Sequence, residues 1–242
     1  MLVMDIGNSR IKWLESGIDG RSSVESEAYK PAQLAEQLKN WFGANQHLSS
    51  VIVCSVATNE VNKRVLEYFE DQNIRTKFIS VERTKAGVIN AYKDVKRMGV
   101  DRWVAMVSAD NKYQTAVCVI DAGTAVTIDV VDDQGHHQGG LIMPGLNLMR
   151  ESLRTGTANI SECSNSSLIL ANNTADAVSA GCYQLMTAGI PPIIERIEKK
   201  FSLKLLPVIT GGDAEYVIEQ TDCGMVLDKW LILDGLEQYF AD

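Results

Sequence analysis

The chain has 242 residues, of which 45% are hydrophobic, and a formal net charge of −8. This length suits one large domain or two lobes with a substantial core. The negative charge argues against a nonspecific nucleic-acid surface, and no apolar run approaches the roughly 20 residues of a membrane helix. Because the apolar start is short and lacks a basic flank, no secretory signal is expected. We expect a soluble cytoplasmic protein without nucleic-acid or membrane partners.

The cysteines and histidines show no metal-binding or redox spacing. The five cysteines are widely spread without a C-x-x-C pair, which predicts reduced, mostly buried thiols. The three histidines fall in loop or turn contexts, and we expect all three to be exposed and without a functional role; they are His47, His136 and His137.

The first half of the chain alternates strand and helix patterns. Strands are predicted at residues 1–6, 11–14 and 76–80, with a hairpin turn at 17–20, and helices at 31–42, 61–69 and 101–109. Strand-rich starts followed by helices are typical of an α/β fold.

The second half repeats this organisation. Strands are predicted at residues 116–120, 126–130 and 206–210, and helices at 146–153, 175–186, 190–201 and 230–239. Residues 140–145 are interpreted as a strand followed by a loop. We therefore predict two lobes, residues 1–110 and residues 111–242.

One turn motif occurs at the start of each lobe. Asp5-Ile6-Gly7-Asn8-Ser9 and Asp121-Ala122-Gly123-Thr124 each follow an apolar strand and precede a second strand and a hairpin turn. Glycine allows backbone N–H groups close to a phosphate, and the aspartate can hold a cation or its water shell. Two such turns would clamp the phosphates of a nucleotide. The alternative is that each is only a turn, where Asp and Gly are favoured anyway.

A third motif is Gly99-Val100-Asp101-Arg102, which Tyr92 precedes by seven residues. Phosphoryl transfer needs a carboxylate near the attacking hydroxyl, so Asp101 is the candidate base. Arg102 could bind a substrate carboxylate or stabilise charge on the moving phosphoryl group. Alternatively, Asp101 caps the helix that follows and Arg102 is a solvated surface charge.

Together these motifs resemble the type III pantothenate kinases over roughly residues 1–240. The family order is kept by residues 5–12, Tyr92, residues 99–102, residues 121–125 and Gly211-Gly212-Asp213-Ala214. The resemblance implies the superfamily of sugar kinases, Hsp70 and actin, in which two ribonuclease-H-like lobes hold ATP in a central cleft. It also implies phosphorylation of pantothenate to 4'-phosphopantothenate, the first step of coenzyme A biosynthesis.

The resemblance assigns roles to individual residues. It implies Asp121 as the site of a monovalent cation, K⁺ or NH₄⁺, and Mg²⁺ is expected with ATP. Asp101 is the implied catalytic base. The implied ATP contacts are Asp5, Ile6, Gly7, Asn8, Ser9, Arg10, Ile11, Lys12 and Thr124, and the implied pantothenate contacts are Tyr92, Gly99, Val100, Asp101, Arg102 and Thr174.

Several alternatives stay open. Lys12 could be an outward strand residue, Thr174 could cap the helix that follows it, and Gly211 and Gly212 could serve the adenosine side of the cleft or only make a turn. The family forms homodimers, and the apolar faces of 146–153 and 175–186 could form an interface or core. The rival functions are a noncatalytic regulator like the Bvg accessory factors of this family, and a kinase of the same fold with another acceptor.

Overall fold

The computed structural model describes residues 1–15, 24–43, 48–160 and 169–240. The hairpin turn predicted at 17–20, together with His47 and Cys163, lies outside these residues. Within the described ranges no helix is both long and apolar enough to cross a membrane. Cys54, Cys118 and Cys182 are buried and form no disulfide, as expected.

The first sheet is built on the apolar N-terminal strand. Its central strand pairs antiparallel with the second strand and parallel with the fourth. The strand order is β3-β2-β1-β4-β5. These strands are β1 (Leu2–Ile6), β2 (Arg10–Glu15), β3 (Glu25–Ala28), β4 (Ser50–Ser55) and β5 (Arg75–Phe78).

A short two-stranded ribbon and the second sheet follow. The ribbon comprises β6 (Thr84–Lys85) and β7 (Val88–Ile89). The second sheet has the order β10-β9-β8-β11-β12, which repeats the first sheet strand for strand in pairing direction. Its strands are β8 (Val117–Ala122), β9 (Ala125–Val131), β10 (His137–Pro144), β11 (Leu206–Thr210) and β12 (Val226–Leu227).

Helices cover these sheets with one apolar face each. In the first unit the buried residues recur every four positions, which places them on one helical stripe; they are Leu34, Leu38, Phe42, Val61, Val65 and Phe69. The Phe42 ring lies 5.1 Å from Trp13 and 5.5 Å from Phe69, between ring centroids. The α-helices in the described ranges are α1 (Leu34–Phe42), α2 (Asn59–Glu70), α3 (Val100–Tyr113), α4 (Leu146–Gly156), α5 (Thr174–Phe201), α6 (Ala214–Glu219) and α7 (Leu231–Glu237).

The two helices predicted at 175–186 and 190–201 are in fact one. Helix α5 is continuous for 28 residues and contains Pro191 and Pro192. Proline lacks the N–H that an interior helical residue donates, which usually ends or kinks a helix. Here the apolar face continues through Met186, Ile190 and Ile194, all buried at a spacing of four. Burial of this face offsets the missing hydrogen bonds.

The chain forms two compact units that do not divide at a single residue. The first comprises Met1–Lys85, Tyr92–Ser108 and Trp230–Asp242, and the second comprises Ala86–Ala91 and Ala109–Lys229. The expected boundary at residue 110 lies near one crossing, but the C-terminal segment returns to the first unit. Gly235 of α7 allows this return, because a Cβ there would lie 2.9 Å from side-chain carbons of Val104 and Ser108.

Candidate active site

The first phosphate-type turn joins β1 to β2. The Gly7 N–H donates to the Arg10 carbonyl at 3.0 Å, and the Ile6 carbonyl accepts from the Val56 N–H at 3.0 Å. Asp5 is buried, whereas Asn8 and Ser9 are exposed. The Gly7 N–H is engaged within the turn. The groups that could contact a phosphate are therefore those of the following residues, Asn8 and Ser9.

The other predicted ATP contacts of this segment differ in burial and in the hydrogen bonds that their side chains make. Ile6 and Ile11 are fully buried, so only their backbone atoms can reach a ligand. The Arg10 guanidinium donates to the Ser26 hydroxyl at 3.0 Å and to the Ser26 carbonyl at 2.7 Å. Lys12 lies in β2 opposite Asp5 in the strand register and is half-buried.

Tyr29 supports this turn and was missed in the sequence. Its hydroxyl donates to the Gly7 carbonyl at 2.9 Å. Burial raises the pKa of Tyr29, so the hydroxyl stays protonated and remains a donor at neutral pH. A tyrosine some twenty residues from the motif carries no local signal of this contact.

The second turn, between β8 and β9, has the same hydrogen-bonding plan. The Gly123 N–H donates to the Ala125 carbonyl at 3.1 Å. The Ala122 carbonyl accepts from the Asp213 N–H at 2.8 Å, as the Ile6 carbonyl accepts from Val56 in the first unit. The repeat found in the sequence therefore extends to the backbone that supports each turn.

Two glycines allow other segments to approach this second turn. The Gly145 N–H donates to the Thr124 carbonyl at 3.1 Å, and a Cβ at Gly145 would collide with the carbonyl oxygens of Gly123 and Thr124. Gly211 has φ +100°, and a Cβ there would collide with the Ala122 carbonyl oxygen and the Asp121 carboxylate. The turn is thus rich in carboxylate and carbonyl oxygens, the donors that hard cations take.

Asp213 adds a second carboxyl group near this turn. Burial raises the pKa of Asp213, and the positive charge of Arg150 on α4 opposes that shift. The sequence motif Gly211–Ala214 thus places a partly desolvated acid next to the backbone of Ala122.

Tyr92 and Arg102 form the centre of the second predicted cluster. The Arg102 Nη1 donates to the Tyr92 hydroxyl oxygen at 3.0 Å, and its guanidinium carbon lies 5.8 Å from the Tyr92 ring centroid. The Arg102 residue is only 6% exposed, so the alternative of a solvated surface charge is wrong. A buried guanidinium requires polar or anionic partners, which suits it to binding an anionic group.

Asp101 lies in the first turn of α3. The helix begins at Val100, and the Gly99 carbonyl accepts from the Trp103 N–H at 3.2 Å. Asp101 therefore does not precede the helix, and the N-cap alternative is wrong. Its Oδ1 accepts from the Arg102 backbone N–H at 2.8 Å, which orients this carboxylate at the start of the helix.

Thr174 lies at the start of α5 but does not cap it. The cap is Asn173, whose side chain accepts from the Asp176 N–H at 2.9 Å. Thr174 is exposed and lines a pocket of about 870 Å³ between α4 and α5, where Met149, Leu153 and Leu185 supply apolar walls.

His137 was expected to be exposed, and this prediction is wrong. Its side chain is fully buried, and Nε2 lies 3.1 Å from Oδ1 of Asp129, which is 2% exposed. The signal lay in β9, where Asp129 interrupts an apolar strand. A buried carboxylate needs a donor.

Comparisons with known proteins show which family has similar sequences. The sequence model of the family described as "Type III pantothenate kinase" matches residues 1–196. Type III pantothenate kinases of Methylibium petroleiphilum and Marinobacter nauticus are each 32% identical, over 98% of this chain and 96% and 97% of their own lengths.

Solved structures agree on the fold. A "conserved putative Baf family transcriptional activator from Campylobacter jejuni" gives a TM-score of 0.60 at 22% identity, covering 100% of this chain and 98% of that one. A "putative 2-dehydro-3-deoxygalactonokinase protein from Sinorhizobium meliloti" gives 0.58 at 13%, covering 98% and 97%. These confirm the predicted kinase-like α/β fold with its two related lobes. From the family match and the full-length relatives, the chain belongs to the type III pantothenate kinase family.

Proposed function

We propose that this chain transfers the γ-phosphoryl group of ATP to the primary hydroxyl of pantothenate, giving 4'-phosphopantothenate and ADP. Family membership over nearly the full chain supports the reaction. The observation that carries the acceptor assignment is the buried Arg102 bonded to Tyr92, with Asp101 adjacent in the same helix turn. A carboxylated acceptor needs a cation, and its hydroxyl needs a base.

Arg102 and Tyr92 hold the acceptor in this mechanism. The guanidinium binds the pantothenate carboxylate through two parallel N–H donors, which fixes both position and orientation. Tyr92 contributes an apolar ring edge and shares its hydroxyl with Arg102. We assign Gly99, Val100 and Thr174 as further acceptor contacts.

Asp101 acts as the general base. Its carboxylate accepts the proton of the pantothenate hydroxyl as that oxygen forms a bond to the γ-phosphorus. The bond between this phosphorus and the β–γ bridging oxygen breaks, and ADP leaves with that electron pair. The hydrogen bond from the Arg102 backbone N–H to Oδ1 orients the carboxylate.

The two Asp-x-Gly turns bind the phosphates. In both turns the glycine N–H closes the turn itself, so Gly7 and Gly123 supply shape. Asn8, Ser9 and Thr124 then supply the donors to the phosphates, with Asp5 and Lys12 behind them. Gly211–Ala214 lies on the adenosine side.

Two cations are part of this proposal. The Asp121 carboxylate and the neighbouring backbone carbonyls have the oxygen chemistry that suits a monovalent cation, K⁺ or NH₄⁺. Mg²⁺, when bound to ATP, neutralises negative charge on the phosphates. We assign the Asp5 carboxylate to its water shell.

We also propose a homodimer in the cytoplasm. Large apolar side chains are exposed on β10 and α5 of the second unit, including Ile142 at 66% and Leu185 at 68%. Leu148 and Leu153 of α4 add to this surface at 44% and 38%. Exposed apolar area of this extent is typical of an interface, and a second copy is its proposed occupant. The buried thiols and the use of ATP suit a reducing compartment.

Product analysis tests the reaction and its rivals together. The purified protein is incubated with ATP, Mg²⁺ and K⁺ and with either pantothenate or 2-dehydro-3-deoxygalactonate, and the products are identified by mass spectrometry. Phosphorylation of pantothenate alone supports the proposal. Phosphorylation of the sugar acid alone would assign another acceptor, and no product with either acceptor would favour a regulatory protein.

A further inference from the structure

The backbone on both sides of Tyr92 is held by side chains that no motif includes. The chain crosses from the second unit to the first between Ala91 and Tyr92. On the upstream side, within the second unit, the Ala91 N–H donates to His137 Nδ1 at 3.4 Å. On the downstream side, within the first unit, Arg83 donates from Nη1 to the Tyr92 carbonyl at 2.7 Å and from Nη2 to the Lys93 carbonyl at 2.9 Å.

The contacts of His137 select one tautomer. Nδ1 must carry a lone pair to accept from the Ala91 N–H, so the proton lies on Nε2. Nε2–H then donates to Asp129 Oδ1 at 3.1 Å. Since both side chains are almost completely buried, this hydrogen bond also fixes the ring plane. Asp129 therefore aims the acceptor nitrogen at the Ala91 backbone.

A second set of backbone contacts anchors the segment just before Tyr92. The Ile89 N–H donates to the Gly135 carbonyl at 2.8 Å, and Ile89 and His136 form an isolated parallel bridge. The residues just before Tyr92 are thus joined to the hairpin between β9 and β10. Strand β9, which leads into this hairpin, begins directly after the Asp121 turn.

We propose that the Asp129–His137 pair and Arg83 are positioning residues for acceptor binding, because together they fix the Tyr92 backbone from both sides. The inference rests on the proposed role of Tyr92. Tyr92 accepts from Arg102, so a shift of its backbone displaces the oxygen that orients the guanidinium. Loss of the His137 contact or of the Arg83 contacts raises KM for pantothenate and leaves KM for ATP unchanged.

Two amide variants of His137 separate the two hydrogen bonds. In His137→Asn the amide oxygen occupies the place of Nδ1, so the acceptor for Ala91 is kept and the donor to Asp129 is lost. In His137→Gln the amide nitrogen occupies the place of Nε2, so the donor is kept and the acceptor is lost. Thermal unfolding of both variants shows the temperature range in which each is folded.

The two variants have different expected kinetics. His137→Gln raises KM for pantothenate by about 3- to 10-fold, the size of one lost hydrogen bond. His137→Asn changes it by less than about 2-fold, and KM for ATP stays within about 2-fold in both. An equal rise in both variants, or a joint rise in KM for pantothenate and ATP, would mean a merely structural role and overturn the proposal.

If the two His137 variants do not fold, variants of Arg83 test the same proposal. Arg83 is exposed, so Arg83→Ala removes two carbonyl contacts without opening the core. KM for pantothenate is expected to rise about 10-fold, and an unchanged value contradicts the proposal. Arg83→Lys keeps the positive charge but lacks the two guanidinium nitrogens that reach the two carbonyls. It should show a similar rise in KM for pantothenate.

Tyr92→Ala keeps this test distinct from that of the proposed function. Turnover of pantothenate with an unchanged KM in Tyr92→Ala would remove the acceptor role of Tyr92, and the inference with it, while the kinase reaction stands. Absence of pantothenate turnover in the wild-type protein would instead remove the proposed function itself.

Discussion

Arg102 donates to the Tyr92 hydroxyl oxygen at 3.0 Å while being only 6% exposed. A guanidinium carries five N–H donors, so it can bond several acceptors in one plane. Its planar fork matches the geometry of a carboxylate, whereas an ammonium group presents a compact point charge. In the proposed function, this pair binds the carboxylate of the acceptor.

Arg102→Lys should weaken acceptor binding while conserving charge. We expect KM for pantothenate to rise about 10- to 100-fold, since a charge-assisted, bidentate contact is reduced to a single one. Steady-state kinetics at saturating ATP measures this change. Arg97→Lys, at an exposed position before α3, is the matched control and should keep the wild-type KM. A wild-type KM in Arg102→Lys would exclude the carboxylate contact.

Gly211→Ala should damage the second turn. A Cβ at φ +100° meets the Ala122 carbonyl oxygen and the Asp121 carboxylate, both beside the proposed cation and phosphate contacts. The free energy of unfolding should fall by about 1–3 kcal/mol, and KM for ATP should rise. Denaturant unfolding measures the first effect.

Gly212→Ala is the control for this stability measurement. A Cβ at Gly212 has no atom within 4 Å, and Gly212 is not among the glycines with positive φ. Its unfolding free energy should stay within about 0.5 kcal/mol of the wild type. Equal losses in the two variants would mean that close approach at Gly211 does not matter.

Cys118 should be unreactive in the folded protein. Burial, followed by the negative charge of Asp129, raises the pKa of Cys118 to about 12. At pH 8 only about one thiol in ten thousand is then a thiolate, the reactive form. Pulsed alkylation at pH 8 with peptide mapping should label the half-buried Cys223 and spare Cys118, and unfolding in urea should remove the difference. Equal labelling rates in the native protein would contradict this account of the β8 environment.

The exposed apolar surface predicts a dimer that one charge can weaken. Light scattering should give twice the 26.6 kDa of the chain. Leu185→Glu places a charge on a side chain that is 68% exposed here and should shift the protein towards the monomer. Tyr216→Glu, on an exposed residue of α6, should leave the mass unchanged. A wild-type monomer at micromolar concentration would reject the dimer.

The repeat was predictable because its signal is local. Asp-x-Gly after an apolar strand is a pattern in adjacent residues, and both copies form the expected strand–turn–strand. The matching sheet order of the two units follows from the same repetition. The amphipathic helices α1 and α2 were equally readable, since buried residues recur every four positions.

The wrong or missed predictions concern residues whose structure depends on contacts far apart in the sequence. Helix α5 was predicted as two helices with a gap at residues 187–189, whereas the buried face that joins them runs on through Met186, Ile190 and Ile194. His137 looked like a loop residue because its partners, Asp129 and the Ala91 backbone, approach only in the folded sheet. Tyr29 reaches Gly7 in the same way.

The most direct test of the central claim is ADP release with ATP, Mg²⁺, K⁺ and pantothenate by the wild-type protein and by Asp101→Asn. The amide cannot accept the hydroxyl proton, so kcat should fall about 10²- to 10⁴-fold, while KM for ATP and the thermal midpoint stay close to wild type. Release by the wild type should depend on pantothenate. Full turnover by Asp101→Asn, or ADP release at the same rate without pantothenate, would contradict the proposed reaction at this site.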